Sequence, residues 1–117
     1  MISAVKNLDR FTTYLAAYGR KDLAAIGGMF ADDIHLRDWK ISVRGKHAAL
    51  AETAKNFESA RSIEIDVLST CESDNTVAGE LHIRVDGEIE LFVVDVAEFN
   101  ETGRIRAIRA YLGRCSD

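Results

Sequence analysis

The chain has 117 residues, with 15 lysines and arginines against 19 aspartates and glutamates, a net charge of −4 with histidines neutral. That length suits one domain over residues 1–117, and 47% hydrophobic against 29% charged residues excludes a disordered chain. No apolar run approaches the ~20 residues of a membrane span, no leader-like segment is present, and the acidic excess argues against a nucleic-acid partner. Cys71 and Cys115 form no CxxC pair and are too few for a disulfide scaffold, so they read as reduced thiols of a cytoplasmic protein. Proline is absent.

Residues 3–19 read as an amphipathic helix. Val5, Leu8, Phe11, Leu15 and Tyr18 recur at three- and four-residue spacing, with Ser3 as N-cap and Gly19 as stop. A second helix runs from a cap at Asp22 to about Phe30, and Gly27 and Gly28 suggest a close helix approach. The period then changes to two. Over residues 33–38, Ile34, Leu36 and Asp38 share one face of a short strand. After Gly45, residues 46–58 return to helix, with Leu50, Ala51, Ala54 and Phe57 turned inward.

Four alternating runs follow. Ile63, Ile65 and Val67 mark the first, which ends at the turn 72–75. Val77, Leu81, Ile83 and Val85 mark the next, and Asp86-Gly87 is a hairpin signal. Ile89, Leu91 and Val93 open the third, and residues 100–103 turn it into a last strand over 104–112. Helices first and strands later predict an α+β fold. A curved, mainly antiparallel sheet wrapped around three helices makes a cone whose open mouth suits a small molecule.

Two acids break the pattern. Asp38 is in phase with Ile34 and Leu36, and Asp95 with Leu91, Val93, Ala97 and Phe99. A carboxylate turned inward is costly when ionised and unpaired, and desolvation raises its pKa. A protonated carboxyl is also a hydrogen-bond donor, so two inward acids in unlike surroundings suit a division between acid and base. Tyr14, one turn before Tyr18, is the third candidate. Pattern alone also allows a capping or turn role for Asp38, a bulge turning Asp95 outward, and an ordinary core role for Tyr14. His35, His47 and His82 have no metal-ligand spacing, so no metal is expected. Arg104, Arg106 and Arg109 read as cross-strand partners of Glu88, Glu90 and Glu98.

The segments 29–33 (MFADD), 36–38 (LRD), 44–46 (RGK), 93–96 (VVDV), 103–105 (GRI) and 110–111 (AY) resemble the nuclear transport factor 2-like (SnoaL-like) superfamily, and in particular the ketosteroid isomerases, also called steroid delta-isomerases. The resemblance covers most of the chain and implies the cone-shaped, cystatin-like fold with a mixed, mainly antiparallel sheet. It places the isomerases' oxyanion-hole tyrosine on Tyr14, their general base on Asp38, and their protonated oxyanion-hole acid on Asp95, a division of roles that belongs to those enzymes. The implied reaction moves a proton alpha to a carbonyl of a small apolar substrate, with no cofactor. Tyr18, Phe30, Trp39, Leu91, Ile108 and Leu112 are the expected substrate-binding residues. Departures are present: Phe30 and Thr53 stand where the isomerases have supporting tyrosines, Leu112 where an aromatic lines the steroid site, and Trp39 where a proline usually follows the base. They bear on the steroid more than on the acid/base chemistry. Two alternatives share the cone: a SnoaL-like polyketide cyclase or dehydratase, and a non-catalytic module binding a small ligand. As in relatives, a homodimer through the outer sheet face is expected, where Phe92, Val94 and Val96 lie among charged residues.

Overall fold

The computed structural model describes residues 5–117. Three helices, α1 (Asn7–Gly19), α2 (Leu23–Met29) and α3 (Lys46–Ser59), alternate with and precede six strands. The strands are β1 (Phe30–Arg37), β2 (Ser42–Arg44), β3 (Ile63–Ser73), β4 (Thr76–Val85), β5 (Ile89–Phe99) and β6 (Ile105–Leu112). They form one mixed sheet in the order β2-β1-β6-β5-β4-β3. Among the described residues only the β1–β6 pairing is parallel, which lets the N-terminal half of the chain dock beside its last strand. The helices pack on one face of this curved sheet, α1 against β3 and β4 and α3 against β1 and β2. No helix among the described residues is long and apolar enough to cross a membrane.

The core follows most of the predicted stripes, though Val5 and Val67, expected inward, are exposed. Phe11, Tyr14, Leu15 and Ala17 of α1 and Ile26 of α2 are buried against Ile34, Val77, Leu81, Phe99, Ile105 and Ile108 of the sheet. Asp22 caps α2 as expected, its carboxylate accepting from Ala25 N at 3.1 Å. Asp86 and Gly87 take φ of +58° and +72° between Val85 O and Glu88 N, the turn handedness that matches strand twist.

Several expectations need correction. The first helix starts at Asn7 rather than Ser3, with Lys6 at its N-cap, and Ser3 lies outside the described residues. Phe30 opens β1 instead of closing α2, so the strand starts three residues earlier than its alternation suggested and ends at Arg37, before Asp38. A register shift between Phe30 and His35 hides that continuity from a period-two reading. Strand β2, three residues paired antiparallel to β1, is too short to show a period. In α3 the buried residues are Ala49, Thr53 and Phe57, while Ala51 is exposed. Thr53 fits the buried line because its hydroxyl donates to Ala49 O at 2.9 Å within the helix. A Cβ on Gly27 would meet Leu50 at an ordinary 3.5 Å and Gly28 faces open space, so neither glycine serves a close helix approach. Glu98, not Glu88 or Glu90, takes both Arg106 and Arg109, and Glu90 bonds His82 at 2.9 Å.

Candidate active site

A cavity of about 400 Å³ lies between α1, α3 and the concave face of the sheet. Its walls are largely aliphatic, and its mouth is edged by the β1–β2 turn and by polar residues of α3. Tyr14, Tyr18, Asp38, Trp39, Leu91, Asp95 and Ile108 all reach it. Of the residues singled out in the sequence, Phe30 and Leu112 do not line it. Phe30 is fully buried behind Tyr14, ring centroids 6.0 Å apart, and Leu112 is 49% exposed where β6 ends.

Asp95 owes its environment to its neighbours in the ladder. Its cross-strand partners are Gly79 on β4 and Ala110 on β6, which offer no polar side chain. A Cβ on Gly79 would stand 2.6 Å from the ring of Phe11, so the missing side chain lets that ring close down beside the acid. Asp95 is 9% exposed. Burial, reinforced by the charge of Asp38, pushes its pKa up to about 7. The carboxyl therefore keeps its proton well above the usual carboxylate range and, when protonated, can donate a hydrogen bond.

Asp38 sits one residue past β1 and keeps the phase of Ile34 and Leu36. Its Oδ1 accepts Lys40 N at 2.7 Å and Ile41 N at 2.8 Å, and its own N–H donates to Ile41 O at 3.0 Å. The turn role that pattern alone allowed is thus real, and it coexists with a place on the cavity wall. Both turn bonds fall on Oδ1, and among the described residues Oδ2 carries no hydrogen bond.

Tyr14 comes from the middle of α1 and is 4% exposed. Burial raises its phenol well above the ordinary value, and Tyr18 and Asp95 add to the effect. Its hydroxyl has no protein partner among the described residues, yet none of their buried polar side-chain atoms is sealed away unpartnered. The hydroxyl must therefore open on the cavity. Tyr18 lies one helical turn further on, edge-on to Tyr14 at 6.0 Å. Its pKa is raised by burial and by Asp95 and Asp38, and lowered by a hydrogen bond from Asn56.

Sequence reading missed Asn56, whose Nδ2 donates to the Tyr18 oxygen at 3.0 Å. The signal was present in the 49–53–56 spacing on α3, but Thr53 and Asn56 look like surface residues when polarity alone assigns the faces.

Taken together, one aliphatic cavity holds a turn-held carboxyl group, a buried carboxyl whose pKa is raised to about 7, and two phenols. That combination can take a proton from a bound molecule and stabilise the resulting oxyanion. A family model for the SnoaL-like domain matches residues 11–108, most of the chain. The chain belongs to the SnoaL-like family. Solved structures agree on the fold. A candidate ketosteroid isomerase from Kribbella flavida superposes with a TM-score of 0.81 at 12% identity, covering 95% of this chain and 80% of that one. An LEH-like epoxide hydrolase from M. tuberculosis gives 0.79 at 16% identity over 92% and 82% of the two chains. A computationally designed 17-OHP binder gives 0.79 at 19% identity over 91% and 92%. At these identities the likeness speaks for the shared SnoaL-like fold and not for a shared reaction. No curated protein matches the sequence.

Proposed function

We propose that this SnoaL-like protein is a cofactor-independent enzyme that moves a proton alpha to a carbonyl of a small, mainly apolar substrate, in the manner of a ketosteroid isomerase. The observation that carries the reading is Asp95: a carboxyl pushed up to about 7, lining the same cavity as Tyr14 and in electrostatic reach of Asp38. Asp38 is the base and takes the alpha proton. The electron pair of the broken C–H bond moves onto the carbonyl oxygen. Tyr14 and neutral Asp95 donate hydrogen bonds to that oxygen, and Asp38 returns the proton at another carbon. Leu91 and Ile108 supply apolar wall, and Trp39 stands at the mouth, 42% exposed. Phe30 supports Tyr14 from behind without touching substrate.

Aliphatic walls and a volume of about 400 Å³ suit an apolar ketone in the lower part of the usual small-molecule range. The SnoaL-like family match favours a second reading in which the same acids serve a cyclase or dehydratase on a polyketide-like carbonyl compound. Both readings share Asp38 as base. Conjugation of cyclohex-3-enone, followed by the absorbance of the enone, tests the first. Wild type accelerates it, and Tyr14→Phe loses about 10²–10³ of the rate. An unaccelerated reaction in wild type, or equal rates in the two proteins, contradicts it.

We further infer a homodimer through the outer sheet face. Val94 and Tyr111 pair across β5 and β6 and are both exposed there. Phe92, expected in the same patch, is instead covered: His82 stacks on its ring at 4.8 Å, and the Arg114 guanidinium lies 3.9 Å from its centre.

A further inference from the structure

The isomerase resemblance leaves the oxyanion tyrosine without its usual supporting phenols, because Phe30 and Thr53 occupy those places. Tyr18 and Asn56 offer a replacement from elsewhere on the same cavity. We propose that Tyr18 is a second phenolic donor to the substrate oxygen and that Asn56 is its positioning residue, an inference that rests on the reaction proposed above.

Three observations carry it. The Tyr18 ring is held on two sides, edge-on to Phe57 at 4.9 Å and to Tyr14 at 6.0 Å, so its oxygen has little freedom. Asn56 Nδ2 donates to that oxygen at 3.0 Å. A phenol that accepts from an amide still has its own O–H proton to give, and accepting makes the phenol a stronger donor. Among the described residues that proton has no protein acceptor, and Tyr18 lines the same cavity as Tyr14, Asp38 and Asp95. A donor already oriented, next to a cavity and unspent, is what a developing oxyanion needs. Tyr18 thus touches the substrate, while Asn56 acts only through Tyr18.

The test reads binding of 4-nitrophenol, whose absorbance distinguishes phenol from phenolate and whose oxygen stands in for the enolate oxygen. Wild type binds the phenolate. Tyr18→Phe, which keeps the ring packing, weakens phenolate binding by roughly tenfold to a hundredfold and lowers kcat on cyclohex-3-enone with little change in KM. Asn56→Leu does the same to a smaller extent, and Asn56→Gln, which restores the amide donor, recovers most of the loss. Asn56 is exposed, so these variants fold, and a merely structural role would leave phenolate binding and kcat unmoved. If Tyr14→Phe weakens phenolate binding and Tyr18→Phe does not, the role of Tyr18 is overturned while the proposed reaction stands. If Tyr14→Phe also changes nothing, the oxyanion site itself falls, and Tyr18 with it.

Discussion

At the residue scale, the proposed reaction gives two acids opposite duties. Asp95 must be protonated to donate, so kcat/KM in wild type falls as pH rises through about 7. Asp95→Asn keeps a donor that does not titrate, and its pH–rate profile loses that limb. The same carboxyl sets a stability signature. Its folded pKa of about 7 lies above the unfolded value of 3.8, so the folded state binds the extra proton between them. Relative to Asp95→Asn, wild type therefore loses stability as pH rises across that window, by about 1.4 kcal/mol per pH unit at the steepest. Thermal unfolding of both proteins at pH 4 and pH 8 measures it, and parallel curves contradict the buried neutral acid. Both acids were legible in the sequence, because each kept the phase of apolar neighbours. What the sequence hid was the partner of each: the backbone N–H groups of Lys40 and Ile41 for Asp38, and the side-chain-poor strip of Gly79 and Ala110 for Asp95. Backbone donors and absent side chains leave no mark in a pattern of side-chain polarity.

At the element scale, what positions the site is how neighbouring elements meet. The β1–β2 turn illustrates this. Where a proline would stiffen the chain after Asp38, its carboxyl group itself clamps the amides of Lys40 and Ile41. Strand β4 illustrates it again at Gly79, whose lack of a side chain admits the fully buried Phe11 ring. Gly79→Ala forces that ring to move and is expected to cost about 1–3 kcal/mol, read as a lower urea midpoint. An unchanged midpoint would show that α1 can shift away from the sheet without loss. The long elements α1, β4 and β5 were readable because a single period governs each. Phe30 and β2 were not, since a bulge and a three-residue strand break any period. The inward face of α3 was misphased at Ala51 because a polar residue, Thr53, belongs to its buried line with Ala49 and Phe57.

At the scale of the whole molecule, one face of the sheet is covered by helices and encloses the cavity, and the other is free to meet a second copy. Two chains of 13.0 kDa joined through Val94 and Tyr111 give twice that mass by light scattering. Val94→Asp places charge at the centre of the patch and returns the monomer mass, whereas a wild-type monomer contradicts this interface. The fold class came from element order alone, but the proposed reaction depends on a convergence of α1, the β1–β2 turn, α3 and β5 that only the assembled fold displays. The proposed reaction begins with Asp38 removing a proton alpha to a carbonyl. Proton NMR of 2-tetralone in D2O reads this directly, through loss of the C1 hydrogen signal. Wild type is expected to speed that exchange well beyond buffer, and Asp38→Asn to lower the enzymic rate by about 10²–10⁴. Exchange at the same rate in wild type and Asp38→Asn would contradict it.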